Sequence, residues 1–224
     1  MTRNLIPYGA ARLELGPYYS HLSESLRRTR NLLSKTRTGD QDVNDDIVRA
    51  IVVLTHAYLE DFLRTLARTL LPEASESVLN GIPLAGSSGR AEKFQLGALS
   101  RHRGRTVEQL IKDSVSEHLE RSNFNSTTEI ASFLNNIGVS LSAKATDVLP
   151  ALDQMIQRRH LIVHRADRIK KANSNEYELQ AIDHDGAVNW TIATVDFMTE
   201  IVRSFEPQGP NAMSALLGEL NKPT

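Results

Sequence analysis

The chain has 224 residues, of which 40% are hydrophobic and 24% are charged, and its formal net charge is −1. These values are typical of a globular protein, and the neutral balance excludes one that binds nucleic acid through overall charge alone. Cysteine is absent, which excludes disulfide bonds and thiolate metal sites. No apolar run reaches the roughly 18–20 residues that span a bilayer, and the N-terminal sequence lacks a secretory signal. We therefore expect a cytoplasmic protein with no membrane contact.

Hydrophobic residues at helical spacing predict helices along most of the chain. The second helix is the most apolar; Asp42 or Asn44 can cap its start, and Pro72 stops it. Residues 72–90 are rich in proline, glycine and serine and are predicted to form a loop. In chain order, the predicted helices are 11–37, 44–71, 91–101, 106–121, 127–137, 143–170 and 195–205.

A different pattern occurs between the last two predicted helices. Residues 177–182 and 187–192 resemble short strands, and they flank Asp183-His-Asp-Gly186. An Asp-Gly pair between two such runs is typical of a hairpin turn, which is a better interpretation of this acidic segment than a set of metal ligands. The sequence therefore predicts a mainly α protein with a small β-hairpin near residues 177–192.

The most informative segment is Met155-Ile-Gln-Arg-Arg-His-Leu-Ile-Val-His-Arg-Ala-Asp-Arg168, on the helix predicted over 143–170 or starting at Pro150. At about 100° per residue, Arg159 falls inside the apolar stripe of this helix, and His160 and His164 lie one turn apart along its edge. A guanidinium is costly to bury without a partner, so this pattern indicates an anion site. The apolar stripe consists of Leu149, Leu152, Ile156 and Val163.

Other interpretations of these residues remain open. Arg159 could form a structural ion pair with Glu60 or Asp61, and His160 and His164 could be partly buried helix histidines. Histidines four residues apart can also bind zinc, but no further ligand stands at a suitable spacing. The sequence also lacks a nucleophile triad and a glycine-rich phosphate loop. We therefore expect no metal and no cofactor.

Arg159-His160-Leu-Ile-Val-His164 is an Arg-x4-His motif with a polar residue after the arginine, and with its flanks it resembles the HEPN superfamily. One upstream stretch resembles the superfamily's long second helix, two further stretches are similar to the branch called RiboL-PSP-HEPN or MAE_28990-like, and the similarity covers about residues 40–205. The resemblance implies an antiparallel helical bundle. We expect one such domain over 1–206 and a C-terminal extension or tail over 207–224. The upstream stretches are Ile51–Leu63, Glu117–Ser126 and Phe133–Gly138.

The resemblance implies metal-independent endoribonuclease activity at a composite site, formed where the motif helices of a homodimer face each other across a basic cleft. By position in the motif, His164 would transfer protons and Arg159 would stabilise charge on the phosphate. His160 occupies a slot that is often asparagine in relatives. It could orient the phosphate or share the acid–base role. Glu60 would support Arg159, whereas its neighbour His56 is predicted to be a packed core histidine.

Basic residues concentrate in three segments, 27–37, 90–105 and 154–171, although the whole chain is neutral. One such run is usually a solvated helix face, but three favour a phosphate-binding surface. The candidates for RNA contact are Arg158, Arg165, Arg168, Lys170, Arg101, Arg103 and Arg105. The last three could instead flank a solvated helix break.

The family also suggests a biological setting and an alternative function. Its members imply a bacterial defence, abortive-infection or toxin–antitoxin system, in which an antitoxin or another regulatory protein is a possible partner. The alternative is a non-catalytic HEPN module that binds RNA, a nucleotide or a partner protein.

Overall fold

The computed structural model describes residues 16–36, 40–87 and 96–205. Most of these residues are helical, as the sequence predicts, and two short strands form an antiparallel pair. The helices are α1 (Gly16–Leu33), α2 (Gln41–Leu70), α3 (Glu76–Leu79), α4 (Val107–Arg121), α5 (Thr127–Asn136), α6 (Ala143–Asp147), α7 (Leu149–Arg165) and α8 (His184–Arg203). The strands are β1 (Arg168–Lys170) and β2 (Tyr177–Leu179), and 3-10 turns occupy Leu71–Glu73 and Leu96–His102.

The described residues divide into two compact units. The motif unit comprises residues 16–62 and 141–205, and it contains the Arg-x4-His segment. The middle unit comprises residues 63–140 as far as they are described. The predicted tail over 207–224 lies outside the described residues.

The core of the motif unit forms where α7 packs against α8. Leu152 and Met155 on α7 are fully buried, as are Phe197 and Met198 on α8. The Thr194 hydroxyl, which donates to the Trp190 carbonyl at 2.8 Å, also lies 3.6 Å from the Met155 sulfur on the facing helix. Burying each of these apolar side chains stabilises the fold by about 1.5–3 kcal/mol, so α7 is firmly held along this face.

The middle unit has its own small core. Ala67, Leu71, Val115 and Leu119 are buried together. Thr106 begins α4 with a reciprocal cap, in which its hydroxyl accepts from the Gln109 amide and the Gln109 side chain accepts from the Thr106 amide.

The hairpin exists, but its predicted second strand is wrong. Residues 177–179 form β2 as expected, yet they pair with β1 on their N-terminal side, and residues 187–192 belong to α8. The Asp183 carboxylate accepts from the amides of Asp185 and Gly186 at 3.2 and 2.8 Å, so it caps this helix. An aspartate that bonds to amides two and three residues ahead serves a turn and a helix start equally well.

Two helix boundaries also differ from the prediction. The segment predicted as one helix over 143–170 is α6 followed by α7, and α7 ends at Arg165. The second difference is the start of α2. This helix begins at Gln41 because the Asp40 carboxylate, rather than that of Asp42 or the side chain of Asn44, accepts a hydrogen bond from a backbone amide of the first turn. No helix within the described ranges has the length and apolar character needed to cross a membrane.

Candidate active site

The candidate site lies on the last two turns of α7. Pro150 stands in the first turn of this helix, where its missing N–H costs nothing. The helix ends at Ala166, whose φ of 50° is left-handed, and Asp167 follows with φ 57°. Two consecutive left-handed residues other than glycine cost on the order of 1–2 kcal/mol each, so other contacts must hold this turn.

Those contacts come from Asp167, which is 1% exposed. Its Oδ2 accepts from Nη2 of Arg158 at 2.8 Å and from Nε of Arg49 at 2.8 Å. We call these three residues the Asp167 clamp. Because Arg49 lies on α2 and Arg158 on α7, the clamp ties the end of the motif helix to the neighbouring helix.

The clamp also holds the chain that leaves the hairpin. Arg158 donates to the backbone carbonyls of Gln180 and Ala181 at 3.1 and 2.9 Å, and Arg49 donates to that of Gln180 at 3.0 Å. The Gln180 amide in turn donates to the Asp167 carbonyl at 2.9 Å. Both ends of the hairpin are thus bonded to the same two arginines.

Arg158 is therefore a structural residue, which corrects its prediction as an RNA contact. It is 8% exposed, and its guanidinium is used by the clamp. The reason is geometric: the buried face of α7 runs through Leu152, Met155 and Arg158, so it is rotated relative to the predicted stripe. Val163, predicted to be in that stripe, is 47% exposed.

Arg159 has the opposite environment from its neighbour. Its side chain is half-buried, and its Nε is shielded from solvent without a hydrogen-bond partner. Among the residues described, no carboxylate lies within ion-pair distance of it. The predicted internal partners are engaged elsewhere, since Glu60 lies 3.8 Å from Nδ1 of His56 and Asp61 lies 3.4 Å from Nδ1 of His21. Arg159 is thus a fixed cation whose charge the described chain leaves unneutralised.

His160 and His164 stand beside this arginine on the open side of the helix. Both are exposed, and their ring centroids are 4.6 Å apart with an angle of 47° between the planes. Two imidazoles in contact can present ring nitrogens to the same space, so one can accept a proton while the other donates one. The described residues contain no group of three or more histidine, aspartate or glutamate side chains that could hold a metal ion.

Glu60 does not hold Arg159 in this structure. Its side chain is 18% exposed and lies near His56, one turn earlier on α2. His56 itself is fully buried, in the environment predicted for a core histidine. A supporting role for Glu60 at the motif therefore remains a prediction from resemblance.

The other predicted RNA contacts fall into two groups. Arg165, Arg168 and Lys170 follow the motif directly and are exposed, and none forms an ion pair within the described ranges. The remaining three lie in the middle unit, where Arg101 donates to the Gly86 carbonyl at 2.9 Å and Arg105 pairs with Asp113. Arg103 in that unit is exposed.

The middle unit contains a groove of about 510 Å³ lined in part by Phe124, Phe133 and His118. Burial, with a smaller contribution from the Arg121 charge, lowers the pKa of His118, so this imidazole is neutral at pH 7. Among the residues described, none of those lining the groove is an arginine. Its chemistry is therefore different from that of the motif.

The structure adds two residues that sequence reasoning missed, Asp167 and Arg49. Asp167 could have been noticed in the sequence, since it is the only acid among the six basic residues of 154–171. Arg49 could not have been found in this way, because it lies 118 residues from its partner in the chain.

Comparison with known proteins identifies the family. The model of the RiboL-PSP-HEPN family matches residues 20–206, which is most of the chain. The protein therefore belongs to the RiboL-PSP-HEPN family. Neither the search of curated proteins nor the search of solved structures finds a match.

Proposed function

We propose that the protein is a metal-independent endoribonuclease. The observation that carries this proposal is the environment of Arg159, a half-buried cation for which the described residues supply no counter-ion, on the same helix end as two exposed histidines. Membership of a HEPN family is consistent with an RNase or an RNA-binding module, and the intact Arg-x4-His motif favours the enzyme.

The proposed reaction uses the RNA's own 2′-hydroxyl. One histidine, His164 by its position in the motif, takes the 2′-hydroxyl proton, and the oxygen attacks the adjacent phosphorus. The 5′-oxygen leaves and receives a proton from His164, that of the same copy or of the second one, while His160 orients the phosphate or shares this proton transfer. Arg159 stabilises the additional negative charge on the pentacoordinate phosphate. The products are a 2′,3′-cyclic phosphate and a 5′-hydroxyl.

The proposal also includes the oligomeric state and the biological system in which the enzyme acts. By family resemblance, two copies would place their motif helices at one composite site, and the enzyme would act in the cytoplasm in bacterial defence, abortive infection or a toxin–antitoxin pair. An antitoxin or another regulatory protein is the expected partner in the last case.

The test is a cleavage assay with end-labelled RNA in EDTA. We expect wild-type protein to cut and to leave a cyclic phosphate. Arg159→Ala should lower the rate by about 10²–10³-fold and His164→Ala by about 10²–10⁴-fold. Both variants should keep their circular dichroism and their oligomeric state.

Two outcomes would contradict the enzyme. If wild-type protein retains RNA on a filter without cutting it, the chain is a non-catalytic binding module. If cutting requires a divalent ion or survives both substitutions, the motif is not the active site.

A further inference from the structure

The β-hairpin that follows the motif helix has two unlike faces. In an antiparallel pair, opposite residues point to the same side and alternate residues to opposite sides. The register pairs Arg168 with Leu179 and Lys170 with Tyr177, and between them Ile169 with Glu178. Arg168, Lys170, Tyr177 and Leu179 therefore share one face, which we call the hairpin face. Ile169 and Glu178 occupy the other.

The hairpin face combines positive charge with an exposed aromatic ring. Tyr177 is 64% exposed and stands directly opposite Lys170. Within the described chain, neither Arg168 nor Lys170 is paired with a carboxylate, whereas the next lysine, Lys171, lies 3.3 Å from Glu176. The only acid on the two strands points to the opposite face. Two uncommitted cations beside an accessible ring are the elements of a single-strand nucleic-acid site.

This face is also fixed relative to the motif. β1 starts immediately after Asp167, and β2 is followed by Gln180 and Ala181, whose carbonyls accept from the clamp arginines. The hairpin is thereby anchored at both ends to the last turns of α7. A surface held in this way loses little conformational freedom when a ligand binds, which favours affinity.

We propose that the hairpin face binds unpaired RNA and guides it to the motif, with Tyr177 stacking on a base and Arg168 and Lys170 contacting phosphates. This inference rests on the proposed function and adds a binding site to it. The substrate class follows from the ring, since a base must be unstacked before an aromatic side chain can cover it. The occupant is RNA rather than a protein, because the charged residues of the face are all cationic.

The experiment measures binding without cleavage. The probe is a fluorescein-labelled 2′-O-methyl RNA 12-mer of mixed sequence, which lacks the attacking hydroxyl, used alone and as a perfect duplex. Anisotropy titrations compare wild-type protein with Tyr177→Ala, Tyr177→Phe and the opposite-face control Ile169→Ala. Sedimentation velocity records the oligomeric state of each variant, and circular dichroism its fold.

We expect the single strand to bind more tightly than the duplex. Tyr177→Ala should weaken single-strand binding by about 5- to 100-fold, whereas Tyr177→Phe keeps the ring and should retain wild-type affinity. Lys170→Gln should lower the slope of log K against log salt by about 0.7, as expected for one lost phosphate contact. Ile169→Ala should bind normally.

The inference is wrong if Tyr177→Ala binds the single strand as wild type does, or if Ile169→Ala shows the same loss. It is equally wrong if the duplex binds as tightly as the single strand, or if Tyr177→Ala alters only the oligomeric state. Since the probe cannot be cut, a protein that binds through this face but lacks nuclease activity would contradict the proposed function and leave the hairpin site intact.

Discussion

Two adjacent arginines on the motif helix have opposite surroundings. Arg158 is buried and bonded to Asp167 and to two backbone carbonyls, whereas Arg159 is half-buried and has no carboxylate within ion-pair distance among the described residues. One step along a helix turns the side chain by about 100°, which is enough to move a guanidinium from the interior to the edge of an open site. Arg158 therefore stabilises the fold, whereas the charge of Arg159 is left for a ligand.

The two sides of α7 likewise have different roles. On the inner side, the Asp167 clamp secures a turn with two left-handed residues and both ends of the hairpin. On the outer side, the exposed rings of His160 and His164 lie 4.6 Å apart. Stability and chemistry can therefore be changed separately, which makes the comparison testable.

The largest expected effect on stability comes from Asp167→Ala. This change leaves the buried Arg158 without its carboxylate and leaves Arg49 with the exposed Asp46 alone, and we expect a loss of about 3–5 kcal/mol in the free energy of unfolding. Urea denaturation followed by circular dichroism measures it. The matched control is Asp46→Ala, which removes the exposed carboxylate at 3.2 Å from Arg49 and should cost less than about 1 kcal/mol. Equal losses in the two variants would show that Asp167 stabilises the fold no more than an exposed carboxylate does.

A smaller loss is expected from Arg158→Met. The methionine fills part of the space while Arg49 still pairs with Asp167, so we expect a cost of about 1.5–3 kcal/mol from the lost hydrogen bonds to charged groups. The folded protein should still cleave RNA at the wild-type rate. A cleavage defect at full folding would mean that Arg158 also acts in the reaction.

Sequence reasoning predicted a helix at the motif with both histidines along the edge of its apolar stripe, but it did not predict the rotation of the buried face. The apolar residues alone placed Arg159 inside the stripe, because the pattern cannot show that Asp167 turns back beneath Arg158. Nor can it show that Arg49 meets that carboxylate, since nothing local relates residues so far apart in the chain.

The misplaced strand has a local cause. Residues 187–192 have few charges and a branched, apolar composition that suits a strand, and Asp183-His-Asp-Gly186 suits a hairpin turn. Tertiary packing favours the helix instead, because α8 buries Ala187, Thr191 and Thr194 along one side, and the Thr191 hydroxyl lies 3.2 Å from that of Thr55 on α2. Tertiary contacts therefore determine the secondary structure of residues 187–192, because their local sequence does not decide between strand and helix.

His160→Asn tests the division of labour on the open side. Because relatives often carry asparagine at this slot, we expect cleavage to fall by less than about 10-fold, which corresponds to about 1.4 kcal/mol. Initial rates measured from pH 5 to pH 9 should keep their alkaline limb, which would disappear if His160 were the group that protonates the leaving oxygen. A loss as large as that of His164→Ala would assign both histidines to proton transfer.

The smallest effect is expected from Val163→Ala on the same open side. Since this valine is 47% exposed, the change should alter the free energy of unfolding by less than about 0.5 kcal/mol. The matched inner-side change is Ile156→Ala, which should cost about 2–5 kcal/mol. A loss at Val163 that grows with protein concentration in the denaturation assay would instead show that a second copy covers it.

The most direct test of the central claim uses a single preparation of Arg159→Ala, in which the free energy of unfolding and the RNA cleavage rate are both measured. If the arginine is reserved for a phosphate, the free energy should stay within about 0.5 kcal/mol of wild type while cleavage falls by about 10²–10³-fold. Wild-type cleavage, or a destabilisation as large as that of Asp167→Ala, would contradict the account.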